Sequence, residues 1–441
     1  MKQSNDTVIF LTILFDWFNK HCKYAVLRNY EGLPEQNDSR DIDIAIEKKS
    51  YLQIKANLIG LVEQQGWKIV TLLISDRLIT WVCGHISSEG KADLIQLDFF
   101  FHTSVFGIKF LSSQEVIAKR VFNGKVYHAN NDYEFLDKYL YDRAVGATYP
   151  EKYETTRERV AESQMVGDVI GRLFGSKSLE ECDQQGHRQL LWRAWLYNMK
   201  KNAIRTVCSM ISFEYQRLRN YFHSTGFCVG FTGPDGAGKT TVIDLLIEQL
   251  GNVFRKAHAY YHFRPALFGN LGEVAHSAGI KKDVDRNYSD PHRGGKTGML
   301  SSLARLFYYS IDYIIGYWVK VKPQIRITRL VIFDRYYTDI ICDSRRSRIY
   351  LNPKFLYRWG KLFIPFLNYN ILLTASTDTI LARKRELNET GIRNINDKID
   401  YLSGKDGYLK VMNEQTPEKA VVEILSYIFE EQHIKNLKRL K

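Results

Sequence analysis

The residues whose types and spacing point most directly to chemistry form one glycine-rich segment, 233–240. It reads Gly-Pro-Asp-Gly-Ala-Gly-Lys-Thr and matches the phosphate-binding pattern G-x-x-x-x-G-K-[ST] at every fixed position. Glycines let the backbone curl so that successive N–H groups can point at phosphate oxygens. We expect Lys239 to reach the β and γ phosphates of a nucleoside triphosphate and the Thr240 hydroxyl to bind Mg²⁺. The alternative is a glycine-rich turn that matches by chance.

The sequence on either side of this segment has the form that the pattern requires. An apolar run at 227–231 predicts a buried strand, and apolar residues at helical spacing predict a helix over 241–250. The start of such a helix adds free N–H groups and the positive end of its dipole. The residues predicted to bind the nucleotide are Gly233, Asp235, Gly236, Ala237, Gly238, Lys239, Thr240 and Thr241.

A second candidate lies at the end of another apolar run, where 330–337 reads Leu-Val-Ile-Phe-Asp-Arg-Tyr-Tyr. This run predicts a strand with Asp334 at its carboxyl end, where open α/β sheets bind their ligands. A carboxylate there can hold Mg²⁺ or its water shell beside Thr240. Arg335 follows, and its planar guanidinium suits phosphate recognition. An ordinary surface pair of Asp and Arg is the alternative.

A third candidate is a set of carboxylates near the amino terminus. Asp41 and Asp43 are two residues apart on a predicted strand and therefore point to one face. Asp98 lies on a later predicted strand. Three clustered carboxylates can bind one or two Mg²⁺ ions and activate a hydroxyl for attack on a nucleotide α-phosphate. The alternatives are a surface strand of alternating charge, or a degenerate domain retained for binding a substrate or partner.

Composition sets limits on the classes of protein that fit these candidates. The chain has 441 residues, which predicts two or three domains. Hydrophobic residues make up 45% and charged residues 25%, as in globular proteins and unlike disordered ones. The net charge of +13 favours acidic partners such as phosphorylated substrates, an anionic membrane surface or nucleic acid. Because nucleotide chemistry accounts for part of this charge, nucleic-acid binding is not inferred from it.

The cysteines and the apolar segments predict a cytoplasmic protein. The six cysteines are scattered without a C-x-x-C pair, which fits a reducing compartment. The apolar run at 8–15 is too short to cross a bilayer, and the run at 303–321 contains Arg305, Asp312 and Lys320. We expect this second run to be a buried or amphipathic helix, and the sequence leaves contact with a membrane surface open.

The elements that must position the candidates divide the chain into three predicted domains. The carboxyl-terminal one, 223–441, alternates apolar strands at 227–231, 329–333 and 369–374 with helices, which predicts a parallel sheet covered by helices. The amino-terminal one, 1–148, mixes both element types. Its predicted strands are 24–28, 42–46 and 93–101, and its predicted helix is 131–147.

Between these two domains, 149–222 is predicted to be a helical connector. The stretch 189–219 contains no proline or glycine and has apolar residues at helical spacing. It also carries six arginines and lysines, so a basic face that meets a membrane or a polyanion is the alternative. The predicted fold class is therefore α/β, with helices flanking a parallel sheet in the last domain and an α+β domain and a helical connector before it.

The carboxyl-terminal domain resembles the thymidylate kinase-like P-loop kinases over about 226–430. The resemblance rests on the loop, extended to Thr241, and on Asp-Arg-Tyr at 334–336. It implies phosphoryl transfer that uses ATP and Mg²⁺, with Lys239, Asp334 and Arg335 as catalytic residues. It also implies that Asp235 orients the substrate.

Three further segments match the family more loosely. The segment 263–265, Phe-Arg-Pro, resembles one whose arginine contacts the acceptor phosphate, which implies that role for Arg264. The predicted helix 379–386 corresponds to the lid of the family, which implies that Arg383 and Arg385 close over the transferring phosphoryl group. The third segment is Gly-Tyr-Leu at 407–409.

Two segments depart from true thymidylate kinases. The segment 268–297 is basic and aromatic and differs from the usual thymidine-recognition sequence. The segment 334–346 looks more like kinase-like proteins encoded among cell-surface polysaccharide genes. The resemblance therefore implies the phosphoryl donor more strongly than the acceptor.

The amino-terminal domain resembles the nucleotidyltransferase superfamily that includes the polymerase-β-like enzymes. The resemblance rests on Asp41, Asp43 and the distal Asp98, which it implies are metal ligands. The family's Gly-Ser turn is replaced here by Leu-Arg-Asn-Tyr at 27–30.

Three functions follow from the sequence. The first is an ATP-dependent phosphotransferase acting on a small or glycan-linked acceptor, with nucleotidyl transfer as a second step on the same chain. The second is a nucleoside monophosphate kinase with a degenerate amino-terminal domain. The third is a non-catalytic, nucleotide-dependent switch or nucleic-acid-binding module, which the acceptor-facing arginines disfavour. The sequence does not predict the oligomeric state.

Overall fold

The chain divides into two units in the computed structural model. The structure describes residues 4–39, 41–250, 258–267, 298–326, 329–384 and 387–441. The first unit comprises Met1–Ser87, Asp93–His223 and Phe429–Lys441, and the second comprises Ser88–Ala92 and Ser224–Ile428.

The first unit contains a mixed seven-stranded sheet and a separate hairpin. Its strands are β1 (Tyr24–Val26), β2 (Asp41–Ile46), β3 (Lys68–Ile74), β4 (Leu78–Ile86), β5 (Ala92–Phe100), β6 (His102–Val105), β7 (Ile108–Ser112), β8 (Val121–Phe122) and β9 (Tyr127–His128). The large sheet has the order β3-β4-β5-β2-β1-β9-β8, and β6 pairs with β7. Strand β2 runs parallel to β5, so the two strands that carry the predicted acids are neighbours.

Helices cover this sheet and extend the first unit. They are Asn5–His21, Lys48–Gln64, Ser113–Ala118, Asn131–Val145, Glu154–Arg159, Gln164–Phe174, Leu179–Gln184 and His187–Phe222, with a short 3₁₀ turn at Glu151–Tyr153. The sequence sets several of their ends. Ser112 and Glu115 form a reciprocal capping box at one start, and Gly146 ends another helix with a φ of 78°.

The segment 149–222 is part of the first unit and does not form a separate connector. Tyr149, Val160, Phe174 and Leu190 are buried in the same apolar core as Leu136 of the preceding helix. The predicted boundary after residue 148 is therefore corrected, because these side chains complete the core of the amino-terminal domain. The predicted boundary after residue 222 lies next to the observed division between His223 and Ser224.

The long helix His187–Phe222 is bent at Asn202, where φ is −165° and ψ is 96°. Beyond the bend, Ser212 donates to Asp76 at 2.9 Å, and the Asn220 amide donates to the Ile74 carbonyl at 2.8 Å. The predicted helix 189–219 is confirmed, and its polar side chains attach it to strand β3 and the turn after it.

The second unit contains a five-stranded parallel sheet. Its strands are β10 (Phe227–Thr232), β11 (Ala259–His262), β12 (Leu330–Asp334), β13 (Tyr369–Thr374) and β14 (Tyr408–Met412). Their order is β11-β12-β10-β13-β14, and every neighbouring pair is parallel. Strands β10, β12 and β13 are buried at every residue, as expected for a sheet with helices on both faces. The predicted α/β fold class is confirmed.

The helices of the second unit alternate with its strands. They are Lys239–Leu250, Met299–Gly316, Lys322–Arg326, Tyr337–Cys342, Ser344–Ser347, Pro353–Phe363, Thr377–Arg383, Glu389–Ser403 and Pro417–Leu440, with a π-helical turn at Tyr317–Val321. The predicted helix 379–386 begins earlier, because the Ser376 hydroxyl caps its start by accepting from the Thr379 N–H. From Phe429 onward, the last helix belongs to the first unit.

Neither a disulfide nor a membrane span is part of the described structure. All six cysteines are free. Within the described ranges, no helix has both the length and the apolar character that crossing a bilayer requires. The apolar run at 303–321 lies in the helix Met299–Gly316 and the turn after it, where Asp312 is fully buried.

Candidate functional site

The glycine-rich segment forms a tight loop between β10 and the helix Lys239–Leu250. Gly236 and Gly238 have φ values of 90° and 85°, a conformation that residues with a side chain rarely adopt. A Cβ atom at Gly233 would lie 1.9 Å from the Leu373 carbonyl oxygen. The backbone therefore requires glycine at these positions, and the loop has the strand-loop-helix setting that the sequence predicts.

Lys239 is buried inside this loop. Its ammonium donates to the carbonyls of Gly233 and Pro234 at 2.8 and 2.9 Å. Burial, together with the positive charge of Arg335, lowers the pKa of Lys239 to about 7. A phosphate placed in the loop would favour the charged ammonium, so this side chain is suited to respond to an anionic ligand. Thr240 and Thr241 follow at the helix start and are exposed.

Asp334 lies at the end of strand β12, and its two carboxylate oxygens differ in their contacts. Strand register places His262 of β11 opposite Asp334. The Tyr260 hydroxyl donates to Asp334 Oδ2 at 3.0 Å, and His262 Nδ1 lies 3.4 Å from the same oxygen. Oδ1 is buried and has no hydrogen-bond partner among the described residues. Burial alone would raise the pKa of Asp334, but His262 and the nearby Lys239 and Arg335 lower it to about 2, so the carboxylate is ionised.

Asp235 of the loop joins two arginines. One of its oxygens accepts from Arg335 and the other accepts from Arg346. Arg335 also donates to Asp339 at 2.9 Å, and only 4% of its side chain is exposed. Burial would raise the pKa of Asp235, but Arg335, Lys239 and Arg346 lower it, so the carboxylate is charged. Asp235 thus orients two guanidinium groups, and its predicted role in orienting substrate stays a prediction.

The backbone at Arg335 is itself unusual. Its φ of 73° lies in the left-handed region, which non-glycine residues seldom occupy. Its N–H donates to the Phe231 carbonyl at 2.9 Å, which ties this turn to the strand before the loop. Such strained residues concentrate at functional sites.

Arg346 was not singled out by the sequence pattern. Asp343 caps the short helix that carries it, accepting from the N–H groups of Arg345 and Arg346 at 3.2 Å each. The Nε atom of Arg346 also lies 3.4 Å from Asp343 Oδ2. A separation of 111 residues between Arg346 and Asp235 leaves no local signal for their contact.

Of the two predicted lid arginines, the structure describes Arg383. Arg383 donates to the Asn413 carbonyl at 2.9 Å, and the Asn413 amide donates to the Ala237 carbonyl at 2.9 Å. These bonds connect the end of helix Thr377–Arg383 to the phosphate loop. Arg385 lies outside the described residues, so its predicted role stays a prediction.

These groups surround one cavity of about 420 Å³. Among the described residues, five lysine and arginine side chains and two carboxylates face it, a balance that suits a polyphosphate. Its lining residues are Asp235, Gly236, Gly238, Lys239, Thr240, Thr241, His262, Asp334, Arg335, Arg346, Arg383 and Lys384.

Arg264 is not among these lining residues. Its guanidinium is buried and lies 2.9 Å from Asp312 Oδ2, with the Tyr309 ring 5.0 Å away. In this position it anchors the segment after β11 to the helix Met299–Gly316. The structure therefore gives Arg264 an internal ion pair, and its predicted contact with an acceptor stays a prediction.

The carboxylates of the first unit also meet as predicted. Strand register sets Asp43 directly opposite Asp98, and ligand oxygens of Asp41, Asp43 and Asp98 lie within 4.8 Å of one another. Oxygens on opposite sides of Mg²⁺ are about 4.2 Å apart, so small adjustments would bring this set to ligand distance. The donor set therefore fits a hard divalent cation.

Unlike Asp334 Oδ1, carboxylates of this cluster already form ion pairs or accept hydrogen bonds from other side chains. Arg28 lies 2.7 Å from Asp43 and 3.0 Å from Asp137. Thr80 and Gln96 both donate to Asp98. Burial raises the pKa of Asp43 to about 7 even though Arg28 lowers it. Arg28 therefore places a cation beside the acids.

Comparison with known proteins gives a partial likeness for this chain. No family model and no curated protein matches it. Among solved structures, it is similar to thymidylate kinase from Ehrlichia chaffeensis, with 15% identity and a TM-score of 0.30 over 46% of this chain and 98% of that one. It is also similar to thymidylate kinase from Candida albicans, with 16% identity and a TM-score of 0.32 over 47% of this chain and 93% of that one.

Proposed function

We propose that the second unit transfers a phosphoryl group from ATP to a small phosphorylated acceptor or to a sugar or polyol. The observation that carries this proposal is the 420 Å³ cavity, which joins the phosphate loop, the Asp334 carboxylate and five basic side chains. Phosphoryl transfer depends mainly on positioning and on neutralising phosphate charge. This cavity offers both.

The donor side of the reaction is assigned to the loop. Its N–H groups and the Lys239 ammonium would bind the β and γ phosphates of ATP. The Thr240 hydroxyl and the open Oδ1 of Asp334 would hold Mg²⁺, which supplies further charge neutralisation at the phosphates when bound. The Tyr260 and His262 contacts fix the Asp334 carboxylate so that Oδ1 is the free oxygen.

The acceptor side is assigned to the arginine pair around Asp235. Because Arg335 and Arg346 are held by a shared carboxylate, their guanidinium groups are oriented before any ligand arrives. Arg383 and Lys384 face the same cavity from the lid helix. During transfer, a P–O bond forms to the acceptor oxygen as the bond between the γ phosphorus and ADP breaks, and these cations stabilise the equatorial oxygens.

A transfer assay tests the proposal. The full chain is incubated with Mg²⁺ and ATP labelled at the γ phosphate, with thymidylate, other nucleoside monophosphates, sugars, polyols and their phosphates as acceptors. We expect label in at least one acceptor and its loss in Asp334→Asn. The surface variant Asp400→Asn should keep activity, because Asp400 is exposed and pairs with Lys410 away from the cavity. Labelled inorganic phosphate as the sole product would contradict the proposal.

A second candidate function is nucleotidyl transfer by the first unit, supported by the convergence of Asp41, Asp43 and Asp98. If both units act, a sugar or polyol is first phosphorylated and then linked to a nucleotide, as surface polysaccharide synthesis requires. Incubation with ATP, CTP and candidate sugars should yield a nucleotide-linked product that Asp98→Asn abolishes. Absence of such a product from the wild-type protein would remove this second step.

The remaining alternatives are separated by the same assays. Transfer to thymidylate or another monophosphate alone would favour a nucleoside monophosphate kinase with a degenerate first unit. Salt-sensitive binding to DNA or RNA without transfer would favour a switch or a nucleic-acid-binding module. Use of ATP together with six free cysteines fits a cytoplasmic location.

A further inference from the structure

A surface of the second unit far from the phosphate loop in sequence exposes large apolar side chains. It comprises the helix Pro353–Phe363 and the residues that follow it to Phe366, and is called here the 353–366 surface. Leu362 is 75% exposed, and Phe355, Phe363 and Phe366 are 41 to 50% exposed.

The fold fixes the orientation of this helix. Leu356 and Gly360 are buried on its inner side. Gly360 packs so closely that a Cβ atom there would lie 2.3 Å from the Tyr337 ring. The apolar residues on the outer side are therefore presented to solvent by the packing of the helix.

The same surface is strongly basic. Residues 353–366 include three arginines and lysines and no aspartate or glutamate. All three, Lys354, Arg358 and Lys361, are exposed on the helix and form no ion pair with any described residue. Exposed aromatic and aliphatic side chains beside unpaired cations are the pattern of helices that lie in a membrane interface.

An apolar cavity of about 280 Å³ opens beside the 353–366 surface. Tyr337, Tyr357, Ile364, Phe366 and Tyr408 contribute to its wall. The Tyr337 hydroxyl donates to the Leu356 carbonyl, so this ring presents mainly carbon to the cavity. The volume is slightly below the range of about 300–1,000 Å³ that holds a whole small ligand, so it suits part of a larger molecule.

We propose that the 353–366 surface docks on an anionic lipid bilayer and that the cavity receives the end of an acyl chain. The basic residues match the negative charge of the lipid headgroups, and the exposed apolar residues match the acyl boundary. A second copy of this chain is disfavoured as the occupant. The three cations of the 353–366 surface outnumber the one acidic residue beside it, Asp406, so two such surfaces would repel each other.

The apolar cavity and the phosphate cavity have separate sets of lining residues. Tyr336, Tyr337 and Asn370 line the apolar cavity, whereas Asp334 and Arg335 line the phosphate cavity. Vesicle binding can be measured without ATP, and phosphoryl transfer can be measured without lipid. The proposal is therefore tested independently of the phosphotransferase proposal.

Vesicle co-sedimentation of the full chain tests it. We expect binding to vesicles of phosphatidylglycerol and phosphatidylcholine, weaker binding at high salt, and little binding to phosphatidylcholine alone. The double variant Arg358→Gln/Lys361→Gln should lower the partition coefficient about 30-fold, since each basic residue near an anionic surface contributes about 1 kcal/mol. Leu362→Glu/Phe363→Glu should abolish binding.

A matched control comes from another helix with exposed apolar side chains. Ile204 is 80% exposed on His187–Phe222 of the first unit, and Ile204→Glu should leave vesicle binding unchanged. All variants replace exposed side chains, so thermal unfolding should match the wild-type protein. No binding to anionic vesicles, equal loss in the Ile204 variant, or unchanged binding in both double variants would overturn the proposal.

A lipid with a photoreactive acyl terminus tests the role of the cavity. After irradiation of the vesicle-bound protein, we expect label on peptides that contain Tyr357, Ile364 or Tyr408. Label confined to other peptides would overturn the assignment of the cavity.

Discussion

The carboxylates of the two units differ in what their oxygens hold. In the second unit, one buried oxygen of Asp334 has no hydrogen-bond partner in the part of the chain that the structure describes, and it lies beside a cavity lined with basic side chains. In the first unit, Asp43 pairs with Arg28, and Asp98 accepts from Thr80 and Gln96. A cation at the first site must share or displace these donors, whereas a cation at Asp334 need not. Convergence of acids is thus a weaker sign of a ready metal site than an acid with an open oxygen.

The arginines differ in the same way. Arg28 pairs with Asp43 of the acid cluster and with Asp137, so both ends of its guanidinium are already engaged by carboxylates. Arg335 and Arg346 share Asp235 and face a cavity, where an incoming anion can join them. The same residue types therefore form a pre-organised anion site in the second unit and an acid cluster with one paired arginine in the first.

The largest expected effect comes from the loop of the second unit. Gly233→Ala should lower ATP affinity more than 100-fold, because the new methyl group would lie 1.9 Å from the backbone oxygen of Leu373 and must displace the loop. Isothermal titration calorimetry measures the ATP affinity of the variant and of the wild-type protein. Gly404→Ala is the control, since the nearest atom to a Cβ there is 4.0 Å away. Equal affinity in Gly233→Ala and the wild-type protein would show that the loop does not bind the nucleotide.

The next largest effect is expected from Asp235→Asn. It leaves Arg335 buried with one of its two carboxylate partners removed, which typically costs about 3 kcal/mol of unfolding free energy. We also expect transfer to fall about tenfold or more as both arginines lose their orientation. Chemical denaturation and the transfer assay check the two effects. Full activity with normal stability would mean that the Asp235 bridge does not organise the site.

A smaller effect is expected from Arg28→Gln in the first unit. Removing this cation should tighten Mn²⁺ binding at the acids about tenfold at pH 8, because the cluster becomes more negative. Arg28→Lys keeps the charge and is the control. Titration of the protein with Mn²⁺, without nucleotide and in a Lys239→Ala background, measures the change in Mn²⁺ affinity. Weaker Mn²⁺ binding in Arg28→Gln would show that Arg28 supports the metal site and does not compete with the cation.

The smallest effect is a pH dependence of the first unit. Burial opposes ionisation of Asp76, but His102 and Ser212 lower its pKa to about 2. A pKa below the unfolded value means that ionised Asp76 stabilises the fold above about pH 4, and that this contribution disappears as the pH falls towards 2. Asp76→Asn should cost about 1 kcal/mol at pH 7, allowing for solvent screening. The difference from wild type should shrink between pH 5 and pH 3, and a constant difference would contradict the assignment.

The sequence was sufficient to predict the candidate sites where the functional groups are contiguous in the chain or lie at the end of an apolar strand. The loop at 233–240, the strand that ends at Asp334 and the i, i+2 acids Asp41 and Asp43 all follow from local pattern. The structure brings the loop and Asp334 to one cavity, and it brings the two acids together with Asp98 in the other unit. The parallel sheet follows from the alternation of apolar strands with helices.

Contacts between distant residues were not predictable in this way. Arg346 meets Asp235 only through the packing of a short helix, and His262 meets Asp334 only through strand register. Likewise, the inclusion of 149–222 in the first unit depends on which core its apolar side chains complete. The buried pair of Arg264 and Asp312 depends on a helix 48 residues later in the chain.

The most direct test of the central claim is transfer of the labelled γ phosphate from ATP to an acceptor by three proteins: wild type, Lys239→Ala and Asp43→Asn. We expect Lys239→Ala to lose at least 100-fold in rate, because the loop loses the ammonium that would stabilise the transferring phosphoryl group. Asp43→Asn should keep this activity, because Asp43 belongs to the other site. Undiminished transfer in Lys239→Ala, or its loss in Asp43→Asn alone, would contradict the assignment of phosphoryl transfer to the second unit.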